Sequence, residues 1–240
     1  MTFAEILAEK GREAGFEFTE RQLWQFTRYY ELLVETNKVM NLTAITEPEE
    51  VAVKHFIDSL LAFDKASFEG KSLADVGTGA GFPGVPLKIY CPTLKVTLID
   101  SLSKRLKFLQ QVIDELELEN INCVHLRAED AGRNKSFREK FDLVTARAVA
   151  RLSVLSEYCL PLVKKDGMFI ALKGSKYAEE IEEGKAALKI LGGKLLSAEP
   201  VKLPGLDDGR AIVKIAKIKV TPAQYPRKAG TPEKQPLGSK

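Results

Sequence analysis

The chain has 240 residues, 45% of them apolar, and a formal net charge of +3 at pH 7. A chain of this length can bury a large core, and its three cysteines lack the C-x-x-C spacing of a zinc or disulfide scaffold. It contains no run of eighteen apolar residues and no apolar N-terminal segment, so we expect neither a membrane span nor a signal peptide. Scattered thiols further predict a reducing, cytoplasmic location.

Residues 1–65 show helical periodicity. Thr19 followed by Gln22 is a capping-box pattern, and the helix after it places apolar side chains on one face at Leu23, Phe26, Tyr30 and Leu33. The polar segment 37–46 predicts a loop, and residues 47 to about 63 predict another helix. We therefore expect a helical cap over residues 1–65.

Residues 66–220 alternate strands with helices, which is typical of α/β proteins with a parallel sheet. The predicted helices cover residues 103–118, 152–163 and 177–191. The predicted strands cover residues 72–76, 95–99, 121–126, 141–145, 168–172, 194–199 and 210–217. No helix separates the last two strands, which predicts an antiparallel hairpin at the sheet edge. The pattern predicts a Rossmann-like sheet of seven strands, six parallel and one antiparallel.

The last segment, residues 221–240, contains four prolines among basic side chains and predicts a tail. Two interpretations stay open: a flexible basic arm that contacts phosphates, or an inert solubilising end. Charge follows the same three segments, with 7 basic and 12 acidic side chains in residues 1–65, 25 and 20 in residues 66–220, and 4 and 1 in the tail. This asymmetry is compatible with a polyanionic partner without requiring one.

A glycine-rich loop follows the first predicted strand. It reads D-V-G-T-G-A-G-F-P-G from Asp75 to Gly84, with further glycines at Gly77, Gly79 and Gly81. Such a loop lets a ligand approach the backbone and the start of the next helix. The glycines also match the dinucleotide fingerprint, but an acid at Asp75 would repel a pyrophosphate and attract an ammonium group. The pattern therefore favours S-adenosylmethionine over NAD.

Two further acids follow the next two strands. Asp100 ends the second strand, where a carboxylate can accept both ribose hydroxyls of either cofactor. Glu129 follows the third strand, at the sheet edge where an adenine amino group would lie. A solvated turn is an equally good interpretation of Glu129 from the sequence alone.

The fourth strand ends at Arg147, where nucleic-acid methyltransferases place their chemistry. The Asn/Asp-Pro-Pro-aromatic run of adenine methylation is absent. Carbon methylation of pyrimidines needs a cysteine nucleophile here, but Cys159 lies in a predicted helix, where we expect core packing. A base such as guanine N7 has a free lone pair and needs no general base. Catalysis would then consist of in-line positioning, with Arg147 in a positioning role only.

In these motifs the chain resembles the RsmG (GidB) family of bacterial small-subunit rRNA guanine-N7 methyltransferases. The resemblance covers nearly the whole chain and rests on these residues: Asn37-Lys38-x-x-Asn41-Leu42-Thr43, His55-x-x-Asp58-Ser59-Leu60, the loop from Asp75 to Gly84, Leu98 to Arg105, Arg127-Ala128-Glu129, Phe141 to Ala148, Lys173-Gly174 and Tyr225 to Lys228. The glycine loop is common to many methyltransferases, whereas its Phe-Pro-Gly end and the Asn-Lys and His-Asp-Ser motifs are specific.

The resemblance implies a class I methyltransferase fold that binds S-adenosylmethionine and modifies 16S rRNA or the small ribosomal subunit. We also expect a monomer without a metal. The loop pattern and the resemblance together give these expected cofactor residues: Asp75, Gly77, Gly79, Gly81, Phe82, Asp100, Ser101, Leu102, Ala128, Glu129 and Arg147. The expected RNA-facing residues are Asn37, Lys38, Asn41, Lys104, Arg105, Lys173, Arg227 and Lys228. For the Asn37 loop, internal hydrogen bonds and an RNA contact are equally good interpretations.

Three alternatives stay open. A small-molecule methyltransferase would use the same loop, with the cap closed over a small pocket. A nucleotide-binding oxidoreductase would hold NAD on it, and a ribosome-assembly factor would keep cofactor binding without catalysis. His55 and Asp58 lie three residues apart on a helix, where we expect packing and hydrogen bonds rather than a metal site.

Overall fold

The computed structural model describes residues 1–238, so Ser239 and Lys240, the end of the predicted tail, lie outside the described residues. The strands are β1 (Ser72–Val76), β2 (Lys95–Asp100), β3 (Ile121–His125), β4 (Phe141–Arg147), β5 (Val163–Lys173), β6 (Gly193–Val201) and β7 (Arg210–Lys217). They form one sheet with the order β3-β2-β1-β4-β5-β7-β6. Only β7 runs antiparallel to its neighbours, which confirms the predicted six parallel strands and one antiparallel strand.

The helices begin in the cap and then cover both faces of the sheet. They are α1 (Phe3–Glu13), α2 (Glu20–Asn37), α3 (Pro48–Val51), α4 (Asp58–Leu60), α5 (Lys65–Phe68), α6 (Gly84–Tyr90), α7 (Ser103–Glu115), α8 (Ala128–Arg133), α9 (Leu152–Cys159), α10 (Tyr177–Leu191) and α11 (Thr231–Lys234). A π-helical segment, Ala52–Ile57, joins α3 to α4 into the continuous helix predicted from the sequence. Thr19 and Gln22 form the predicted capping box of α2.

Two helices end earlier than their apolar pattern predicts. The helix predicted over residues 152–163 ends at Cys159, because Pro161 has no N–H group with which to continue the helical hydrogen bonds. The chain then turns into β5, which begins at Val163, five residues before the predicted strand. Similarly, α7 ends at Glu115, just before Glu117 adopts a positive φ of 52°.

The cap shares a core with one face of the sheet. Leu7, Phe26 and Phe56 of the cap lie in the same buried cluster as Leu73 of β1 and Leu98 of β2. Burial of such side chains stabilises the fold by about 1.5–3 kcal/mol each, so the cap is held firmly against this face of the sheet. Within residues 1–238, no helix is long and apolar enough to cross a bilayer.

The C-terminal segment differs from the predicted free tail, because it packs against α8 and α9. The Arg138 guanidinium donates to the backbone carbonyls of Thr221, Pro222 and Tyr225. Leu237 near the end of the segment is buried in the second core cluster of the molecule. We call residues 221–238 the C-terminal strap.

Candidate active site

The glycine loop lies at the switch point of the sheet, where β1 has β2 on one side and β4 on the other. The Asp75 carboxylate accepts two hydrogen bonds from this loop. Its Oδ2 accepts from the Thr78 hydroxyl at 2.7 Å and from the Gly84 amide at 2.9 Å. Burial raises the pKa of Asp75 to about 6, against the hydrogen bonds to Thr78 and Gly84 that lower it. Asp75 itself is fully buried, and the predicted attraction of an ammonium group stays a prediction.

The backbone of the loop requires glycine at two positions. Gly77 has a φ of +68°, and a Cβ there would lie 2.8 Å from Cγ2 of Val149. Gly81 has a φ of +104°, and a Cβ at this position would overlap the Tyr29 hydroxyl. That hydroxyl donates to the carbonyl of Ala80, so α2 of the cap holds the tip of the loop directly.

A large cleft of about 340 Å³ opens on one side of Gly77. It has the volume of a small-molecule site. The structure brings five of the predicted cofactor residues together in its wall: Gly77, Asp100, Ser101, Ala128 and Glu129. Its remaining wall includes Val149, Tyr158 and two strap residues, Gly230 and Glu233. Leu102, also predicted to contact the cofactor, is exposed and is not among the residues that line this cleft.

Asp100 links the cleft to the loop. Its Oδ2 accepts from the Gly79 amide and its Oδ1 accepts from the Leu102 amide, both at 2.9 Å. Arg105 lies 3.4 Å from the same carboxylate. A carboxylate held on both oxygens is oriented before a ligand arrives, and its remaining lone pairs can accept hydroxyl groups.

A smaller cleft of about 240 Å³ adjoins the large one at Gly77. It lies between the cap and the sheet, and its wall includes Leu42, Thr43, His55, Phe82 and Arg147. Phe82 is only 5% exposed, and its ring stacks on His55 with centroids 4.6 Å apart. The loop-tip phenylalanine is therefore part of the core as well as a wall of this cleft.

Arg147 connects β4 to the cap through a buried ion-pair network. It donates to Oδ2 of Asp58 at 2.7 Å and to the carbonyl of Lys54 at 3.1 Å, and its guanidinium lies over the Phe82 ring at 5.0 Å. Arg210 of β7 pairs with the other oxygen of Asp58 at 3.1 Å. Most of the hydrogen-bonding capacity of Arg147 thus faces the protein, although the residue lines the small cleft.

His55 is a neutral imidazole in this network. Burial lowers its pKa to about 4, and the positive charge of Arg147 adds to this. Nδ1 of His55 lies 3.3 Å both from Nη2 of Arg147 and from the Lys54 carbonyl. Because the guanidinium can only donate and its Nη1 already donates to that carbonyl, we assign the proton to Nε2. The Nε2–H group then donates to the Thr43 hydroxyl at 2.8 Å, and the Ile45 amide also donates to it at 3.0 Å. With both lone pairs engaged, the Thr43 O–H is left to donate.

We expect His55 to make folding stability depend on pH. Its pKa is about 4 when folded and 6.5 when unfolded, so its contribution is present above pH 6.5 and is lost as the pH falls towards 4. The full effect is about 3 kcal/mol. In urea unfolding, the stability difference between wild type and His55→Gln should shrink as the pH falls from 7 to 4, because only the wild type loses the contribution of a neutral His55. The titration of Asp75 is common to both proteins and cancels in the difference. A constant difference in stability across this pH range would contradict the lowered pKa of His55.

The expected RNA-facing residues divide into two groups. Lys38, Asn41, Lys104 and Lys228 are exposed, and Arg105 is half-buried between the two clefts. The others face inward. Asn37 accepts from the amides of Leu42 and Thr43.

Two expected RNA contacts are instead internal ion pairs. Lys173, with its side chain 8% exposed, lies 2.6 Å from Glu180 and also donates to the Ala150 carbonyl. Arg227 pairs with the fully buried Glu157 at 2.7 Å. The buried carboxylate of Glu157 needs a cationic partner, and the Lys173 ammonium is itself buried beside Glu180, so both basic side chains are engaged inside the protein.

Sequence reasoning missed several residues of the two clefts. Thr43 lies in a quoted motif, but its role depends on His55, twelve residues away. Tyr158 and Gly230 have no local signal, because a helix and the strap bring them to the cleft. Burial raises the pKa of Tyr158 to about 12, so its phenol is neutral.

The hydrogen-bond acceptors of the large cleft fit the predicted S-adenosylmethionine. Asp100 and Glu129 offer carboxylates to hydroxyl and amino groups, and Gly77 lines both clefts, where a Cβ would crowd Val149. A ligand in the large cleft that extends past Gly77 would present one end to the small cleft. Within residues 1–238, the structure contains no group of three side chains arranged to hold a metal ion.

Comparison with known proteins identifies close relatives of the whole chain. A ribosomal RNA small subunit methyltransferase G from Lactobacillus johnsonii is 54% identical over 236 residues, which cover 97% of this chain and 99% of that protein. The protein of the same name from Exiguobacterium sibiricum is 56% identical over 229 residues, which cover 94% and 95% of the two chains.

A solved structure shares the fold at low sequence identity. The Methanococcus jannaschii fibrillarin pre-rRNA processing protein is 16% identical with a TM-score of 0.53, over 68% of this chain and 74% of that one. The family model for rRNA small subunit methyltransferase G, GidB, matches residues 22–206. The predicted class I methyltransferase fold, the enzyme class and the S-adenosylmethionine cofactor are thereby confirmed, and the oxidoreductase alternative is left without support. The chain belongs to the rRNA small subunit methyltransferase G (GidB) family.

Proposed function

We propose that this protein transfers the methyl group of S-adenosylmethionine to N7 of a guanine in small-subunit (16S) rRNA. The names of its relatives support the RNA substrate. The observation that carries the reaction type is the wall of the small cleft, where no aspartate or glutamate occurs among the described lining residues and where the histidine is neutral. A base that needs no deprotonation suits such a site.

The large cleft would hold the nucleoside part of the cofactor. Asp100 would accept the ribose hydroxyls, Glu129 would accept the adenine amino group, and Gly77 would let the sulfonium end pass towards the small cleft. The cofactor supplies an electrophilic methyl group. The chain contributes orientation and the exclusion of water, which account for a large share of the rate in positioning catalysis.

The small cleft would hold the extruded guanine. In guanine, N7 and O6 are adjacent acceptors on one edge of the base. The Thr43 hydroxyl has its lone pairs engaged by His55 and Ile45, so its proton is directed to an acceptor, and O6 is the acceptor next to the nucleophile. A bond from Thr43 to O6 would place N7 in line with the methyl group.

Arg147 would be a positioning residue in this reaction. The base gains a positive charge when N7 is methylated, and an unpaired cation beside it would oppose the reaction. The carboxylate of Asp58 balances the positive charge of Arg147, while the guanidinium contacts Phe82 and His55. Exposed Lys38, Asn41 and Lys104 lie near the clefts, where they would contact RNA phosphates.

We expect Thr43→Val to lower the turnover of RNA about tenfold, which corresponds to one lost hydrogen bond of about 1.4 kcal/mol. The affinity for S-adenosylmethionine should change less than twofold. Thr43→Ser keeps the hydroxyl and should retain most of the activity, which separates the hydrogen bond from packing. Equal activity of the valine and serine variants would refute the role of the hydroxyl.

The function itself is tested by methyl transfer from labelled S-adenosylmethionine to small ribosomal subunits that lack the modification. Naked rRNA serves as the second substrate, and the labelled nucleoside is identified after digestion. Label in 7-methylguanosine is expected, and the ratio between the two substrates tells which form the enzyme recognises. Cofactor binding without label would favour an assembly factor, and label on a metabolite would favour a small-molecule methyltransferase.

A further inference from the structure

The C-terminal strap reaches the wall of the large cleft. The Gly230 amide donates to Oε1 of Glu129 at 2.8 Å, and Gly230 and Glu233 both line the cleft. Glu129 is 5% exposed, and within residues 1–238 the Gly230 amide is the only hydrogen-bond partner of its carboxylate. The second oxygen of this carboxylate is therefore left for a ligand.

The strap is fixed before and after Gly230. Arg133 donates to the Pro226 carbonyl at 2.8 Å, and the Thr221 amide donates to Glu139 at 2.8 Å. Pro232 and Leu237 are buried on the other side of Gly230. These contacts hold the strap as a defined piece of the domain rather than as a free arm.

Arg227 provides the strongest attachment, three residues before Gly230. Its Nε and Nη2 atoms lie 2.9 and 2.7 Å from the two oxygens of Glu157, and its own amide donates to Oε1 at 2.7 Å. Glu157 is fully buried on α9, next to Tyr158 of the cleft wall. Bidentate pairs of this kind fix geometry as well as adding stability.

We propose that the C-terminal strap selects the purine of the cofactor. The Gly230 amide holds Oε1 of Glu129, so Oε2 faces the 6-position of the base. An ionised carboxylate only accepts hydrogen bonds, which favours a 6-amino group and disfavours a 6-oxo group. This inference rests on the proposed placement of adenine in the large cleft. Glu129 is a binding residue in it, and the strap acts through Glu129 as a positioning element.

The substitution Glu129→Gln gives a sharp test. Only the amide oxygen of glutamine can accept from Gly230, so the strap would force the NH₂ group towards the purine. The probes are S-adenosylhomocysteine and S-inosylhomocysteine, which differ in the 6-substituent, with affinities measured by calorimetry. We expect the wild type to prefer the adenosyl compound at least about tenfold and Glu129→Gln to lose or invert that preference.

The role of the strap is read from the same ratio of affinities. Adding Arg227→Ala to Glu129→Gln should restore the adenosyl-to-inosyl affinity ratio towards that of the wild type, because an undocked strap lets the glutamine amide rotate. The pair Glu157→Gln with Arg227→Met avoids a buried unpaired charge and serves if the first variant fails to fold. Lys234→Ala, an exposed strap position, is the matched control and should leave the ratio unchanged.

Two results would overturn the inference. One is an unchanged adenosyl-to-inosyl ratio in Glu129→Gln. The other is a strap variant that keeps its ratio but binds RNA more weakly, which would make the strap an RNA-binding element. The ratio is measured without RNA, so an absence of 7-methylguanosine would contradict the proposed reaction and leave the strap inference standing.

Discussion

Replacing Gly77 with alanine is expected to lower the affinity for S-adenosylmethionine by about a hundredfold or more. The residue has a φ of +68°, which costs an alanine about 1–2 kcal/mol of folding stability in the free and the bound protein alike. Its Cβ would also lie 2.8 Å from Val149, so the wall of the large cleft must shift at the point where the cofactor is proposed to lie. A binding loss near 3 kcal/mol from this displacement corresponds to about two orders of magnitude in affinity. Calorimetric titration with the cofactor measures it.

Gly70→Ala is the matched control for Gly77→Ala. Gly70 has a similar φ of +71°, but nothing lies within 4 Å of its Cβ position, and it is not part of either cleft. Both variants should lose similar stability from the backbone, whereas only Gly77→Ala should lose cofactor binding. Affinity within threefold of wild type in Gly77→Ala would mean that the cofactor does not pass this point.

The second large effect is expected from Asp58→Ala. Asp58 is 4% exposed and pairs with both Arg147 and Arg210, so its removal leaves two partly buried guanidinium groups without their carboxylate. Breaking a buried ion pair in this way destabilises a protein by about 3–5 kcal/mol. For a chain of this size we expect the melting temperature to fall by roughly 10 °C. Scanning calorimetry measures both quantities.

Arg210 itself supplies the control for this prediction. It also pairs with Asp208 at 3.0 Å, but the side chain of that aspartate is 42% exposed. An exposed ion pair contributes about 0–1 kcal/mol, so Asp208→Ala should be nearly neutral. Equal losses in the two variants would show that the network between cap and sheet contributes no more than an ordinary surface pair.

Patterns of short range were sufficient for much of the fold. The alternation of strands and helices placed all seven strands, with β1 and β7 at their observed bounds. The glycine loop and Asp100 were recognisable because each follows a strand, and parallel strands bring their carboxyl ends to one edge. Ends of elements were less predictable where a single residue overrides the apolar pattern, as Pro161 does after α9.

The sequence by itself determined the sheet, the loop and the family resemblance, because these depend on the type and spacing of residues close together in the chain. The tertiary structure alone decided the roles of Arg147, Lys173 and Arg227. These residues look like ligand-facing cations, yet each pairs with a carboxylate inside the protein: Arg147 with the buried Asp58, Lys173 with the half-buried Glu180 and Arg227 with the buried Glu157. The physical reason is desolvation: a buried carboxylate needs a cation, and only the folded chain shows which cation lies within reach.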